Sequence, residues 1–291
     1  MRPENLKTRI FLDSGDPNET KAALSALGFL DGQTTNPSLI AKHPATAGKK
    51  FGADELLNFY EKVVKEVSAL IPSGSVSIEV YSDSTTSAEQ MYEQGQEFFK
   101  WIPNPAPEQA RYGAGAHIKY PTTLEGLKAA EISVKNGLRV NMTLVFSQEQ
   151  AAAVYAATLG AKTGEVFVSP FIGRLDDRGE NGMDLIKNII QMYQAGDGHV
   201  QVLTASVRSM EHFFQAIKLG SDIITSPLKI LKEWAEQKFP ISNSQFSKTN
   251  LKPIGYQEIA LTKPWQQYNL AHELTDKGLE KFSQDWNGLI K

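Results

Sequence analysis

Lys119 is the residue of this sequence best suited to covalent chemistry. It closes the apolar run Gly115-Ala-His-Ile and stands directly before Tyr120-Pro121. Lysine is seldom buried without a partner, and an amine taken out of water is favoured in its neutral, nucleophilic form. Such an amine attacks a ketone and forms a Schiff base. A lysine whose stem lies along a strand end while its head reaches solvent would satisfy the same segment. On this stretch alone the two readings stand level.

Other polar residues close short β-rich runs in the same way: Asp13, Thr34 to Asn36, Glu79, Asn141 with Thr143, Ser169, and Ser206 with Arg208. Each has an ordinary structural use, because Asp and Asn start turns and Ser caps helices. Their meaning depends on whether the chain brings those ends together.

The elements that would do so alternate along the chain. Candidate strands are Arg9–Leu12, Gly32–Thr35, Ser75–Val80, Ala116–Lys119, Arg139–Leu144, Val166–Ser169, Val200–Thr204 and Asp222–Thr225. Amphipathic stretches lie between them, among them Ala53–Ala69, Leu124–Lys135, Ser147–Leu159, Met183–Gln194 and Met210–Leu219. Strand and helix in alternation indicate a parallel sheet covered by helices, and eight such strands fit a (β/α)8 barrel. In that fold the strand ends meet at one mouth. An open doubly wound sheet is the competing α/β arrangement, but no strand is followed by a Gly-rich phosphate loop, and Gly113-Ala-Gly115 precedes a strand rather than opening a helix. The segment Trp101–Gly115 reads as a surface loop. From Ile241 to about Tyr268 the pattern becomes irregular, and a last helix is predicted over Thr275–Leu289. The expectation is one barrel domain over residues 1–291, with a C-terminal helical extension over about 241–291 packed on it.

Composition narrows the function. The 291 residues carry 30 basic and 33 acidic side chains, a net charge of −3, which lacks the basic excess of a nucleic-acid binder. An anion would have to be held by a local cluster. Without cysteine there is no thiolate nucleophile, disulfide or cysteine metal site. The five histidines, His43, His117, His199, His212 and His272, form no pair at metal-binding spacing. No apolar run approaches a membrane span or a signal sequence, so a soluble cytoplasmic protein is expected.

Six segments in order resemble the motifs of the transaldolase family: Ile10-Phe-Leu-Asp-Ser14, Asp31-Gly-Gln-Thr-Thr-Asn-Pro-Ser-Leu-Ile40, His117-Ile-Lys-Tyr-Pro121, Val140-Asn-Met-Thr-Leu-Val-Phe-Ser147, Val168-Ser-Pro-Phe-Ile-Gly-Arg174 and Ala205-Ser-Val-Arg208. They extend from about residue 10 to 230. The resemblance implies that Lys119 is the Schiff-base lysine and Asp13 the general acid/base. Glu79 and Thr143 would position a proton-relay water, while Thr34 belongs to the same substrate-binding segment as Asn36. Asn36 and Asn141 would hold hydroxyls of a bound dihydroxyacetone unit, with Ser169 and Phe171 as the wall beside the reacting carbons. Arg174, Ser206 and Arg208 would form a phosphate pocket, for which guanidinium forks and a hydroxyl are well suited. Asp176 and Asp177 are alternative surface partners for Arg174.

The resemblance further implies no metal or organic cofactor, sugar phosphates as binding partners, and a place in the non-oxidative pentose phosphate pathway. It leaves the oligomeric state open. A related enzyme, fructose-6-phosphate aldolase, carries Gln where this chain has Glu79 and Tyr where it has Phe171. A phenyl ring cannot protonate an enamine carbon, so the pair favours group transfer over release of free dihydroxyacetone. Besides that lyase, the other reading is a non-catalytic sugar-phosphate binding protein, which would need Arg174 and Arg208 but not Lys119, Asp13 and Glu79 together. The aromatics Trp265, Tyr268 and Trp286 read as packing residues, and nothing after Ile241 reads as catalytic.

Overall fold

The computed structural model describes residues 2–105, 113–241 and 250–291; the centre of the expected Trp101–Gly115 loop and most of the start of the irregular tail lie outside them. Eight strands run in chain order, β1 Arg9–Asp13, β2 Gly32–Thr34, β3 Ser75–Glu79, β4 Gly115–Pro121, β5 Val140–Val145, β6 Val166–Pro170, β7 Val200–Thr204 and β8 Ile223–Ser226. All pair in parallel with their sequence neighbours, and β1 pairs with β8 through Arg9 opposite Ile223, which closes the barrel.

Helices fill the crossovers: α1 Pro17–Leu27 and α2 Pro37–Ala41 flank β2, and α3 Ala53–Leu70 leads into β3. Next come α4 Ala88–Phe99, α5 Leu124–Lys135, α6 Gln148–Ala157, α7 Ile172–Asp176, α8 Gly182–Tyr193, α9 Met210–Leu219 and α10 Leu228–Glu236. A last helix, α11 Glu273–Asn287, packs on α2 and β5. The (β/α)8 barrel expected from the alternation is the observed fold. No described helix is long and apolar enough to cross a membrane.

Local chemistry explains most helix starts. Ser87 and Gln90 form a capping box on α4, Ser147 caps α6, and Asp16 caps α1 ahead of Pro17. The last helix departs from expectation by two residues. It begins at Glu273 because the His272 Nδ1 accepts from the Leu274 N–H at 3.2 Å, while the Thr275 hydroxyl, expected near the start, instead donates to the Leu144 carbonyl at 2.9 Å.

Strand periodicity sorts side chains into two sets. Ile10, Leu12, Ile118, Tyr120, Met142, Val168 and Val202 belong to the apolar core, and Tyr120 reaches outward to hydrogen-bond Ser133 of α5 at 2.9 Å. The inward set is polar above an aromatic base. At the base, His117 stacks on Phe167 with ring centroids 3.9 Å apart and meets the Ser75 hydroxyl at 2.8 Å. One layer higher, Ser169 donates to the Asn141 carbonyl oxygen at 2.6 Å, and the Asn141 amide donates to Ser77 at 3.0 Å.

Candidate active site

The next layer up is where the strands end. β4 extends to Pro121 rather than stopping at Lys119, so the lysine lies two residues inside the strand and points into the barrel. Pro121 closes the strand because it has no N–H with which to extend a ladder. Only 3% of the Lys119 side chain is exposed, and its Nζ donates to Glu79 Oε2 at 2.7 Å and to the Thr35 carbonyl at 3.3 Å.

Glu79 is held from behind by Tyr60 of α3. Thr35 donates its hydroxyl to the Ser77 carbonyl at 2.9 Å, so the Tyr60 hydroxyl donates to Thr35 and accepts from the Glu79 N–H at 3.0 Å. Burial pushes the Glu79 carboxyl above its ordinary range, against the downward pull of Lys119. Asp13, at the end of β1, is raised by burial in the same way, and Lys119, a hydrogen bond from Thr34 and the charge of Lys42 oppose that shift. The Thr34 hydroxyl donates to Asp13 Oδ1 at 2.7 Å, which leaves it to accept from the Thr225 hydroxyl at 2.6 Å.

Strands β6 and β7 stay paired beyond their ends. The Ile172 N–H donates to the Ala205 carbonyl at 3.1 Å and the Gly173 N–H to the Ser206 carbonyl at 3.2 Å. A side chain at Gly173 would lie 2.5 Å from both the Ser206 carbonyl oxygen and Arg208 Nε, so glycine permits this approach. It brings Arg174 near enough to Arg208 to feel its charge, which adds to burial, the main cause that lowers the Arg174 pKa. Ser206 adopts a left-handed backbone with φ of 60°, a conformation that concentrates at functional turns.

A cavity of about 280 Å³ opens here, near the small end of the roughly 300–1,000 Å³ typical of small-molecule sites. Of the residues singled out in the sequence, Asp13, Thr34, Asn36, Lys119, Ser169, Phe171, Arg174 and Ser206 line it. The other four stand behind or beside it. Glu79 pairs with Lys119, and Asn141 spends its amide on Ser77 and Ser169. The Thr143 hydroxyl is buried with no protein partner. Arg208 lies outermost, paired with Asp177, with 47% of its side chain exposed. The aspartates suggested as partners for Arg174 are engaged elsewhere, Asp177 with Arg208 and Asp176 with His212.

Sequence reasoning missed several lining residues. Thr225 obeys the same strand-end rule as the others, so a signal was there. Ser38 and Lys42 follow the Asn36-Pro37 turn, and Lys281, Phe282 and Asp285 come from α11. The tail thus lines the cavity, a position that the absence of any catalytic-looking residue after Ile241 did not foretell. Phe282 and Phe171 flank the Lys119 and Arg174 heads: the Phe282 centroid lies 5.8 Å from Lys119 Nζ and 5.4 Å from Arg174 Cζ, and the Phe171 centroid 5.9 Å and 5.4 Å from the same atoms.

A buried amine–carboxylate pair, a second, half-buried carboxyl and a guanidinium at the C-terminal mouth of a parallel barrel define an α/β-barrel enzyme site. The chain belongs to the transaldolase/fructose-6-phosphate aldolase family, which it matches over residues 10–291. That match continues past residue 230, where the recognisable motifs stop, and takes in α11. Similar proteins include one named "probable transaldolase" from Dehalococcoides mccartyi, 34% identical over 283 residues that span 97% of this chain and 100% of the relative. Others with the same name come from Anaeromyxobacter dehalogenans, 35% identical over 97% of this chain and 98% of the relative, and from Caldicellulosiruptor saccharolyticus, 35% identical over 97% and 99%.

Proposed function

We propose that this protein is a transaldolase that moves a dihydroxyacetone unit between sugar phosphates through a Schiff base on Lys119. The observation that carries the reading is the Lys119 amine, removed from water, 2.7 Å from Glu79 and facing a cavity shared with Asp13 and Arg174.

The steps follow from the chemistry of these groups. The Lys119 nitrogen attacks C2 of a ketose phosphate, and loss of water leaves an iminium. Glu79 holds or returns the proton this requires, and a water held by the otherwise unpartnered Thr143 hydroxyl would extend the relay. The iminium draws electrons from C3, so the C3–C4 bond breaks while the Asp13 carboxylate takes the proton of the C4 hydroxyl. An aldose phosphate departs and the enamine remains on Lys119. An acceptor aldehyde then forms the new C–C bond, Asp13 returns the proton to its oxygen, and hydrolysis frees the product. Arg174, Ser206 and Arg208 hold the phosphate. The hydroxyls of the transferred unit meet Asn36 and Asn141, with Ser169 and Phe171 as the wall.

The donors are sedoheptulose 7-phosphate and fructose 6-phosphate, and the acceptors glyceraldehyde 3-phosphate and erythrose 4-phosphate. These place the enzyme in the non-oxidative pentose phosphate pathway of the cytoplasm. A barrel domain over the whole chain, with the segment after about 241 packed on it, carries this site. Glu79 and Phe171 favour transfer over the aldolase route.

Borohydride reduction in the presence of fructose 6-phosphate should leave a covalent adduct on Lys119. Lys119→Arg should abolish the adduct and lower kcat by about 10³-fold or more, while a phosphate ester still binds. Near-normal turnover by that variant defeats the mechanism.

A further inference from the structure

The inner face of α11 carries Thr275, Gly278, Phe282 and Trp286 at helical spacing, and all four are buried. Thr275 is tied to the Leu144 carbonyl of β5. At the other end Trp286 packs on Tyr60 with centroids 5.8 Å apart, and the Asn287 amide donates to the Tyr81 hydroxyl at 3.0 Å. The helix is therefore pinned on both sides of the mouth, and Phe282 hangs from its middle. The residue is 5% exposed, and its ring faces Lys119 Nζ at 5.8 Å.

We propose that Phe282 is a positioning residue that keeps water from the Lys119-bound enamine and thereby commits it to transfer. This rests on the Schiff-base reading above and goes beyond it, because neither the motifs nor that mechanism gives the C-terminal helix a role in the chemistry. After cleavage the enamine has two fates. Its C3 attacks the acceptor aldehyde, and Asp13 protonates the new alkoxide; or C3 takes a proton from water, water adds at C2, and dihydroxyacetone leaves as the Lys119 amine is regenerated. That C3 atom is two covalent bonds from Nζ, so a ring seated over the nitrogen stands against the reacting carbons. Phe171 covers them from the residue just beyond β6, and Phe282 covers them from α11. Neither ring can donate a proton. Enclosure of a reactive intermediate suppresses hydrolysis and proton leakage.

The test compares the parent chain with Phe282→Leu and Phe282→Ala. Borohydride trapping with fructose 6-phosphate reads the Lys119 adduct. The rate of free dihydroxyacetone appearance, divided by the rate of transfer to erythrose 4-phosphate, reads the partition. We expect adduct in all three proteins and a release-to-transfer ratio that rises through Leu to about tenfold in the Ala variant. A ratio unchanged in variants that still trap overturns the proposal, as does an equal fall of both rates, which a merely structural role would give. Should Phe282→Ala not fold, Phe282→Leu decides: a rise of about twofold or more supports the role, and no rise overturns it. Absence of adduct in the parent would instead bring down the Schiff-base reading itself.

Discussion

Asp13 and Glu79 are carboxyls whose proton affinity is raised by burial in the folded chain, from ordinary values of 3.8 and 4.5. A carboxyl raised on folding binds its proton more tightly in the native state. Stability therefore falls as pH rises from the unfolded value through the folded one, and the full penalty remains above that window. Asp13→Asn keeps an acceptor for Thr34 and removes the buried charge. It should raise stability at neutral pH by about 1 kcal/mol, roughly 2 °C in Tm, while activity is lost; thermal unfolding beside an activity assay checks both. Because the proposed mechanism uses Asp13 as a base, the same shift should place the acid limb of kcat/KM above the ordinary aspartate value. Lys42 holds the Asp13 carboxyl down by its charge, so Lys42→Met should move that limb to higher pH, which a pH–rate profile would read. Residues such as Asp13, Glu79 and Lys119 were legible because polar groups that end apolar strands have few bland uses once the strands meet. Lys42 was not: an exposed lysine after a turn looks like any other.

The elements that build the site depart from regularity where they meet. The β5 ladder shifts register between Met142 and Val145, and Leu144 within that bulge has a φ of 59°. The bulge turns the Leu144 carbonyl toward Thr275 and lays α11 against it. At Gly278 the contact is so close that a Cβ would lie 2.6 Å from Leu144 Cδ2 and 2.7 Å from Arg174 Nη1. Gly278→Ala should displace the Arg174 fork, which is the more mobile neighbour. We expect KM for a phosphorylated donor to rise about tenfold with a smaller change in kcat, and a cost of about 1–3 kcal/mol in unfolding. Strand positions were readable to within two residues because alternation and apolar runs are local. Helices Pro17–Leu27, Ala88–Phe99 and Leu228–Glu236 were not singled out, although each turns a buried face to the barrel. The bulge had no sequence mark, because leucine is a poor advertisement for a left-handed backbone.

At the scale of the molecule, the barrel interior is a polar stack from Ser75 and His117 up to Lys119 and Asp13, and α11 lies across its upper end. The fold was visible in the sequence because it rests on repeated neighbours. The seat of α11 over the mouth was not, because Phe282 reaches Lys119 across 163 positions of chain (282 minus 119) and no periodicity encodes that encounter. Thr275 is the joint. Its hydroxyl donates to Leu144 and accepts from the Gln150 amide at 2.8 Å. Thr275→Val should strip the Leu144 carbonyl of this donor, at about 1–3 kcal/mol, while the Gln150 amide keeps its bond to the Leu270 carbonyl. Amide hydrogen exchange should then quicken along Glu273–Asn287 while the strands stay protected, as for a unit that opens independently. Uniform protection in the variant would show that the helix is held by its other contacts.

The site thus has a floor woven from eight neighbouring strands and a ceiling supplied by one distant helix. Lys119, Asp13 and Glu79 sit in the first, and Phe282 comes from the second. Substitutions confined to Lys281, Phe282 and Asp285 should therefore alter the cavity's upper lining while Lys119, Asp13 and Glu79 keep their places. The same masonry could serve several trades with only its roof rebuilt.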